Sequence, residues 1–323
     1  MKPSLLLGSA LLAGAFAATV SIAAERYPGR PVRIVVPYAP GGGSDIIARM
    51  IGLKLGEALG QSFVIDNRPG AGSLLATELV AKSAGDGYTL ILADVPLTIN
   101  VSTYTNPGYD AVKDFSPITM VGITPQILVG HPSFVPNSLK ELLGMPRAQT
   151  ERIALGTGGT GSSPHMTYEL LRLRTGLTLN HVPYKGGGPA TTDVLAGQIP
   201  LALNGAPSAM TYLRAKQLKG LGITSARRHP LVGDIPTFQE GGVANFVVYH
   251  WYGMLAPAGT PAAIINALHA EIQKTLRMPD VTKRFADLAI NVAGAGPDEF
   301  AKIIRTDVSR WRDVVKSSGI RID

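Results

Sequence analysis

The chain contains no cysteine. That excludes a disulfide framework, a thiolate metal ligand and a cysteine nucleophile. It also excludes the lipid-attachment cysteine that follows the signal of a bacterial lipoprotein. Long apolar runs are scarce. Beyond residues 5–20 every apolar stretch is short and broken by Gly, Pro or charge, whereas a bilayer-spanning helix needs about 20 apolar residues. Clustered charge is lacking too. The formal net charge is +7, but the basic residues are scattered, and Arg227-Arg228 is the tightest pair beyond the first residues. Nucleic-acid binding calls for a basic patch, so none is expected. The histidines at 131, 165, 181, 229, 250 and 269 do not fall into a His-Glu-x-x-His frame, and neither a metal nor a cofactor is expected.

What is present begins with Lys2, an apolar run over 5–20, and the small residues Ser21-Ile22-Ala23-Ala24 before the polar Glu25-Arg26. That order predicts a secretory signal peptide at residues 1–24 and a free periplasmic protein without a lipid anchor. The remaining 300 or so residues suffice for two ordinary domains.

From residue 32 onward, β-rich runs alternate with segments of helical period. Strands are predicted at 32–36, 63–65 and 88–93, with helices at 45–59 and 73–83 between them. A similar order recurs after residue 125. Strands are expected at 152–155, 180–182, 199–203 and 218–224, and helices at 164–174 and 189–195. The run 246–256 is read as carrying the chain back to the first unit, which ends in helices at 261–277 and 297–317. The pattern predicts an α/β protein of two lobes, each a sheet flanked by helices, joined by a hinge. The expected bounds are 25–125 and 249–323 for the first lobe and 126–248 for the second. Ligands of such sheets sit beyond the carboxyl ends of the strands, so the interlobe cleft is the expected site.

Three loops place glycines or small polar residues just ahead of a helix: 37–45 (PYAPGGGSD), 156–165 (GTGGTGSSPH) and 182–189 (VPYKGGGP). Bare glycine backbone lets N–H groups approach a ligand, and the following helix adds unpaired donors and partial positive charge. That combination suits an anion. The first loop lacks the lysine of a phosphate-binding P-loop. Neither Ser162 nor Ser163 has the G-x-S-x-G frame of a nucleophile elbow, so no catalytic residue is assigned. Asp193, one turn beyond Pro189, is read as either facing the cleft or capping the helix; Lys185 as either pairing with an anion or solvated.

These segments, with 66–72 (DNRPGAG), 86–90 (DGYTL), 109–117 (YDAVKDFSP), 193–198 (DVLAGQ) and 251–261 (WYGMLAPAGTP), resemble the substrate-binding receptors of tripartite tricarboxylate transporters, the Bug family. The likeness runs over about residues 27–320. It implies a hinged Venus-flytrap fold of the type II kind. It also implies a small organic carboxylate held between the lobes: a mono- or dicarboxylate, an amino acid or an aromatic acid. The expected partners are the integral membrane subunits of a transporter, and a monomer is expected. Carried over residue by residue, the ligand contacts would be Ala39, Gly41, Gly42, Gly43, Thr160, Ser162, Ser163, Tyr184, Asp193 and Asn204. One segment departs from the family. Where small or hydroxyl residues are usual, this chain has Asp94. Two readings stand. Asp94 faces the pocket and favours a ligand with an amino group or a neutral donor, or it points to solvent or meets a basic residue. A sensory receptor and a secreted α/β hydrolase are the competing functions.

Overall fold

The computed structural model describes residues 27–318; the expected signal peptide lies outside them. In chain order the main elements are β1 (Val32–Val36), α1 (Gly43–Leu59), β2 (Phe63–Asn67), α2 (Leu74–Ala81), β3 (Thr89–Asp94), α3 (Pro96–Thr103) and β4 (Phe115–Gly130). Next come α4 (Leu139–Leu143), α5 (Arg147–Thr150), β5 (Ala154–Thr157), α6 (Ser163–Thr175), β6 (Asn180–Pro183), α7 (Gly187–Leu195), β7 (Leu201–Gly205), α8 (Met210–Arg214) and β8 (Lys219–Ile223). The chain ends with β9 (Tyr249–Pro257), α9 (Ala262–Leu276), α10 (Pro279–Asp287), β10 (Asn291–Ala295) and α11 (Pro297–Ser318).

β1 pairs parallel with β2 and β3, as the β-α-β-α-β order dictates. β3 then pairs antiparallel with β9, and β9 with the first part of β4. The far part of β4, Gln126 to Gly130, pairs instead with β7 and β8; β7 pairs in parallel with β5, and β5 in parallel with β6. One 16-residue strand therefore belongs to two sheets. The change of partner falls at Pro125, which pairs with Tyr249 of β9, while Gln126 pairs with Gly205 of β7. The structure is two-lobed, and β4 and the chain entering β9 run between the lobes.

Each sheet is packed on both faces, as period-two alternation requires. Along β1, Val32, Ile34 and Val36 face α1 and α9 through Ile47, Ile51, Leu55, Leu268 and Ile272. Val35 points the other way, onto the layer of α2, α3 and α11. The second lobe repeats this. Ile127, Val129 and Ala202 meet α7 and α8, whereas Leu128, Leu155 and Leu203 meet α4 and α6.

Most sequence-expected elements lie within a few residues of their predicted places. β4 is the main omission. Pro117 and Pro125 interrupt it, and proline removes a ladder donor. The ladder absorbs them through register shifts at Pro117/Thr119 and Met120/Gly122 and through the partner change at Pro125.

Candidate functional site

The ends of β1, β3, β5, β7 and β9 converge on one cavity, part of it open to solvent. Gly42, Gly43, Asp94, Ser162 and Asn204, all singled out from the sequence, line it. So do Tyr38, Ser44, Gly187, Ser208, His250 and Tyr252, which sequence reasoning did not assign. His250 and Tyr252 were legible in principle: alternation along β9 places them on one face, and Tyr252 pairs with Asp94 across the ladder.

The remaining candidates lie off the lining and have internal partners or packing roles. The Ala39 N–H donates to the Lys185 carbonyl at 2.8 Å, a bond between the lobes. The Gly41 N–H donates to Asp45 at 3.0 Å. Ser163 Oγ accepts from Gln126 Nε2 at 2.8 Å. The Tyr184 hydroxyl donates to Asp193 at 2.7 Å, so these two side chains engage each other. The Thr160 carbonyl packs against Gly72 of the other lobe.

The glycines thus have a role that loop composition did not reveal. A Cβ on Gly188 would stand 2.9 Å from the Gly41 carbonyl carbon, and one on Gly186 3.1 Å from Tyr38 Cβ. Bare backbone lets the two lobes meet as well as leaving room for a ligand. Asp45 fixes the first of these loops. It accepts from the Gly41 N–H, from Arg49 and from Asn67, whose amide also donates to the Tyr38 carbonyl. Burial raises the Asp45 carboxyl pKa, but those hydrogen bonds outweigh it, and the net direction is downward.

α1 begins at N-cap Gly42 and α7 at N-cap Gly186, and neither has a side-chain cap. Their first residues open on the same cavity, one helix from each lobe. First-turn N–H groups lack intrahelical partners and carry the positive end of the helix dipole. Two such ends facing one volume favour an anion. α6 is different: Ser162 Oγ accepts from the His165 backbone N–H, and His165 Nδ1 accepts from the Gly161 N–H. That imidazole nitrogen braces the loop instead of meeting the Ser162 hydroxyl.

Asp94 satisfies parts of both sequence readings. It lines the cavity, is 1% exposed, and has His250 Nε2 3.2 Å from its Oδ2. The pKa values of Tyr38 and Tyr252 are raised by burial and by the Asp94 charge. Both hydroxyls therefore stay protonated donors.

His165 and His181 stack with centroids 4.2 Å apart. Burial, and then the charge of Arg172 for the first and of His165 for the second, lowers each pKa to about 4. The unfolded value is about 6.5, so the unfolded chain takes up protons first. Their contribution to stability is complete above about pH 6.5 and is lost as pH falls toward 4. Denaturant titrations should show a loss on the order of 2 kcal/mol from pH 7 to 4.5, after discounting for partial exposure. His181→Gln should flatten that slope, and a stability independent of pH over this window contradicts the assignment. Asp45 lies outside the window, because its depressed pKa makes its contribution fall away only below about pH 4.

Among the described residues no group of three or more His, Cys, Asp or Glu could hold a metal ion, and no helix is long and apolar enough to cross a membrane. The family model of the tripartite tricarboxylate transporter family receptor matches residues 47–320. Protein BugT of Bordetella pertussis is 36% identical over 315 residues, covering 96% of this chain and 97% of BugT. The structure of R. palustris Rpa4515 with adipate superposes with a TM-score of 0.86 at 32% identity, over 91% of this chain and 99% of that one. MatC (Rpa3494) from Rhodopseudomonas palustris with bound malate gives 0.85 at 33% identity, over 90% and 100%. The chain belongs to the tripartite tricarboxylate transporter receptor family, the Bug proteins.

Proposed function

We propose that this protein is a periplasmic receptor that captures a small carboxylate-bearing solute between its lobes and presents it to the membrane subunits of a tripartite-tricarboxylate-type transporter. The observation that carries this reading is the pair of uncapped helix N-termini, one from each lobe, at a single cavity. A carboxylate there is held by both lobes only when they are together, so it shifts the open–closed balance toward the closed form. The membrane partner reads that shape. Residues 25–125 with 249–323 form one moving body and 126–248 the other, hinged where β4 changes partner. Residues 1–24 serve as the export signal. Solved relatives with adipate and malate support a carboxylate handle. Gly42, Gly43, Ser162 and Asn204 contact the solute, while Ala39, Gly41, Thr160, Ser163, Tyr184 and Asp193 shape the loops around it.

The test is a thermal-shift screen over mono-, di- and tricarboxylates, amino acids and aromatic acids, with mass spectrometry of any co-purified solute. A saturating ligand should raise Tm by about 5 °C or more, and the bound solute should be recovered chemically intact. Silence across all carboxylates, or steady product release, overturns the reading.

A further inference from the structure

The cavity has a second chemical end. Among the described residues that line it there is no Lys and no Arg; the only ionisable groups besides tyrosine hydroxyls are Asp94 and His250. Both are buried, at 1% and 5% exposure, and no Lys or Arg ion pair reaches Asp94. The His250 ring nitrogen Nε2 lies 3.2 Å from Asp94 Oδ2. Asp94 Oδ1 and His250 Nδ1 are both buried and have no hydrogen-bond partner within the protein. Asp94 Oδ1 is thus an open acceptor in the same cavity as the positive helix ends of α1 and α7.

On the reading of this cavity as a carboxylate site, we propose that Asp94 forms an ammonium subsite and that the solute is an amino-bearing carboxylate. Its carboxylate lies on the helix N-termini, and its ammonium donates to Asp94 Oδ1. The charges decide between candidate classes. A second carboxylate placed against Asp94 would set two carboxylates against each other with no Lys or Arg in the lining to offset them. A hydroxyl supplies one donor and no charge. An ammonium supplies three donors and a positive charge, both of which favour a buried carboxylate. Tyr38 and Tyr252, with their hydroxyls kept protonated, add donors and no charge.

Isothermal titration of the intact protein with three sets of acids tests this: aspartate, malate and succinate; alanine, lactate and propionate; 4-aminobutyrate, 4-hydroxybutyrate and butyrate. Each set holds the skeleton constant and changes only the amino group. In at least one set the amino member should bind about 30-fold or more tightly than its hydroxy counterpart, the range expected when one partner of a buried charge pair is removed. Asp94→Asn should erase that preference, and His250→Gln, which keeps the Asp94 carboxylate, should retain it. Equal or tighter binding of the hydroxy or unsubstituted member in every set overturns the proposal and leaves the receptor reading intact. So does an amino preference that survives Asp94→Asn. Binding of none of the acids overturns both. The wild-type comparison decides the matter even if Asp94→Asn does not fold.

Discussion

Gly72→Ala should weaken solute binding by about 10- to 100-fold, the cost of forcing extra volume into a packed contact. Gly72 lies in the first lobe, in a segment where Gly70, Ala71, Gly72 and Ser73 all have positive φ (147°, 46°, 56° and 85°). The segment is tied down by Asn100 Nδ2, which donates to the Gly72 carbonyl, and by the Tyr104 hydroxyl, which donates to that of Ala71. A Cβ at 72 would fall 2.1 Å from the Thr160 carbonyl oxygen and 2.8 Å from Ser162 N, both in the second lobe. These are backbone atoms and cannot swing aside, so the lobes must part. The left-handed conformation itself costs alanine about 1 kcal/mol whether the lobes are open or closed. Gly176→Ala isolates that cost: Gly176 has φ 76° and nothing within 4 Å of its would-be Cβ. It should lower stability and leave affinity alone. Titration with the acid that gives the largest thermal shift, together with small-angle scattering, reads both effects. Unchanged affinity in Gly72→Ala shows that this contact does not govern closure.

That result bears on how far the sequence was legible. The three glycine-rich loops stood out because glycine, proline and small hydroxyl residues before a helical period form a local signal. Their convergence on one cavity is what strand order predicts. The division of labour within them was not legible. Whether a bare N–H meets a ligand, an Asp45 carboxylate or a carbonyl of the opposite lobe depends on contacts between residues far apart in sequence, such as Ala39 with Lys185 and Gly72 with Thr160. Asp94 was visible as a departure from the family, but its partner was not. His250 lies 156 positions away and reaches Asp94 only because β9 enters the sheet beside β3. The shared strand β4 was hidden for a different reason. Its prolines read locally as breaks, whereas the sheet uses Pro125 at the one place where the ladder changes partner and a missing donor is tolerated.

Phe300→Ala should cost about 3–5 kcal/mol, the usual penalty for emptying a buried aromatic site. Tm should fall by roughly 10 °C. Phe300 is fully buried on α11, whose apolar residues Phe300, Ile304, Val308, Trp311 and Val315 recur every three or four positions and seat against α3 and β4. Its ring meets Trp251 edge to face at 5.4 Å, and the Trp251 indole N–H donates to buried Asp307 at 2.8 Å. The ring fits because β9 has glycine beneath it: a Cβ on Gly253 would come within 2.1 Å of Phe300 Cζ. Gly253→Ala alone should therefore also destabilise, through overpacking. In Phe300→Ala the new volume opens where that Cβ would sit, so the double variant should be more stable than the sum of the single losses allows, by about 1 kcal/mol or more. Chemical denaturation of the four proteins measures this coupling, and strict additivity contradicts the packing argument. The contact has functional weight because Gly253 is adjacent to Tyr252 and three residues from His250. By holding β9 against the sheet, α11 fixes the strand that brings both side chains to the cavity.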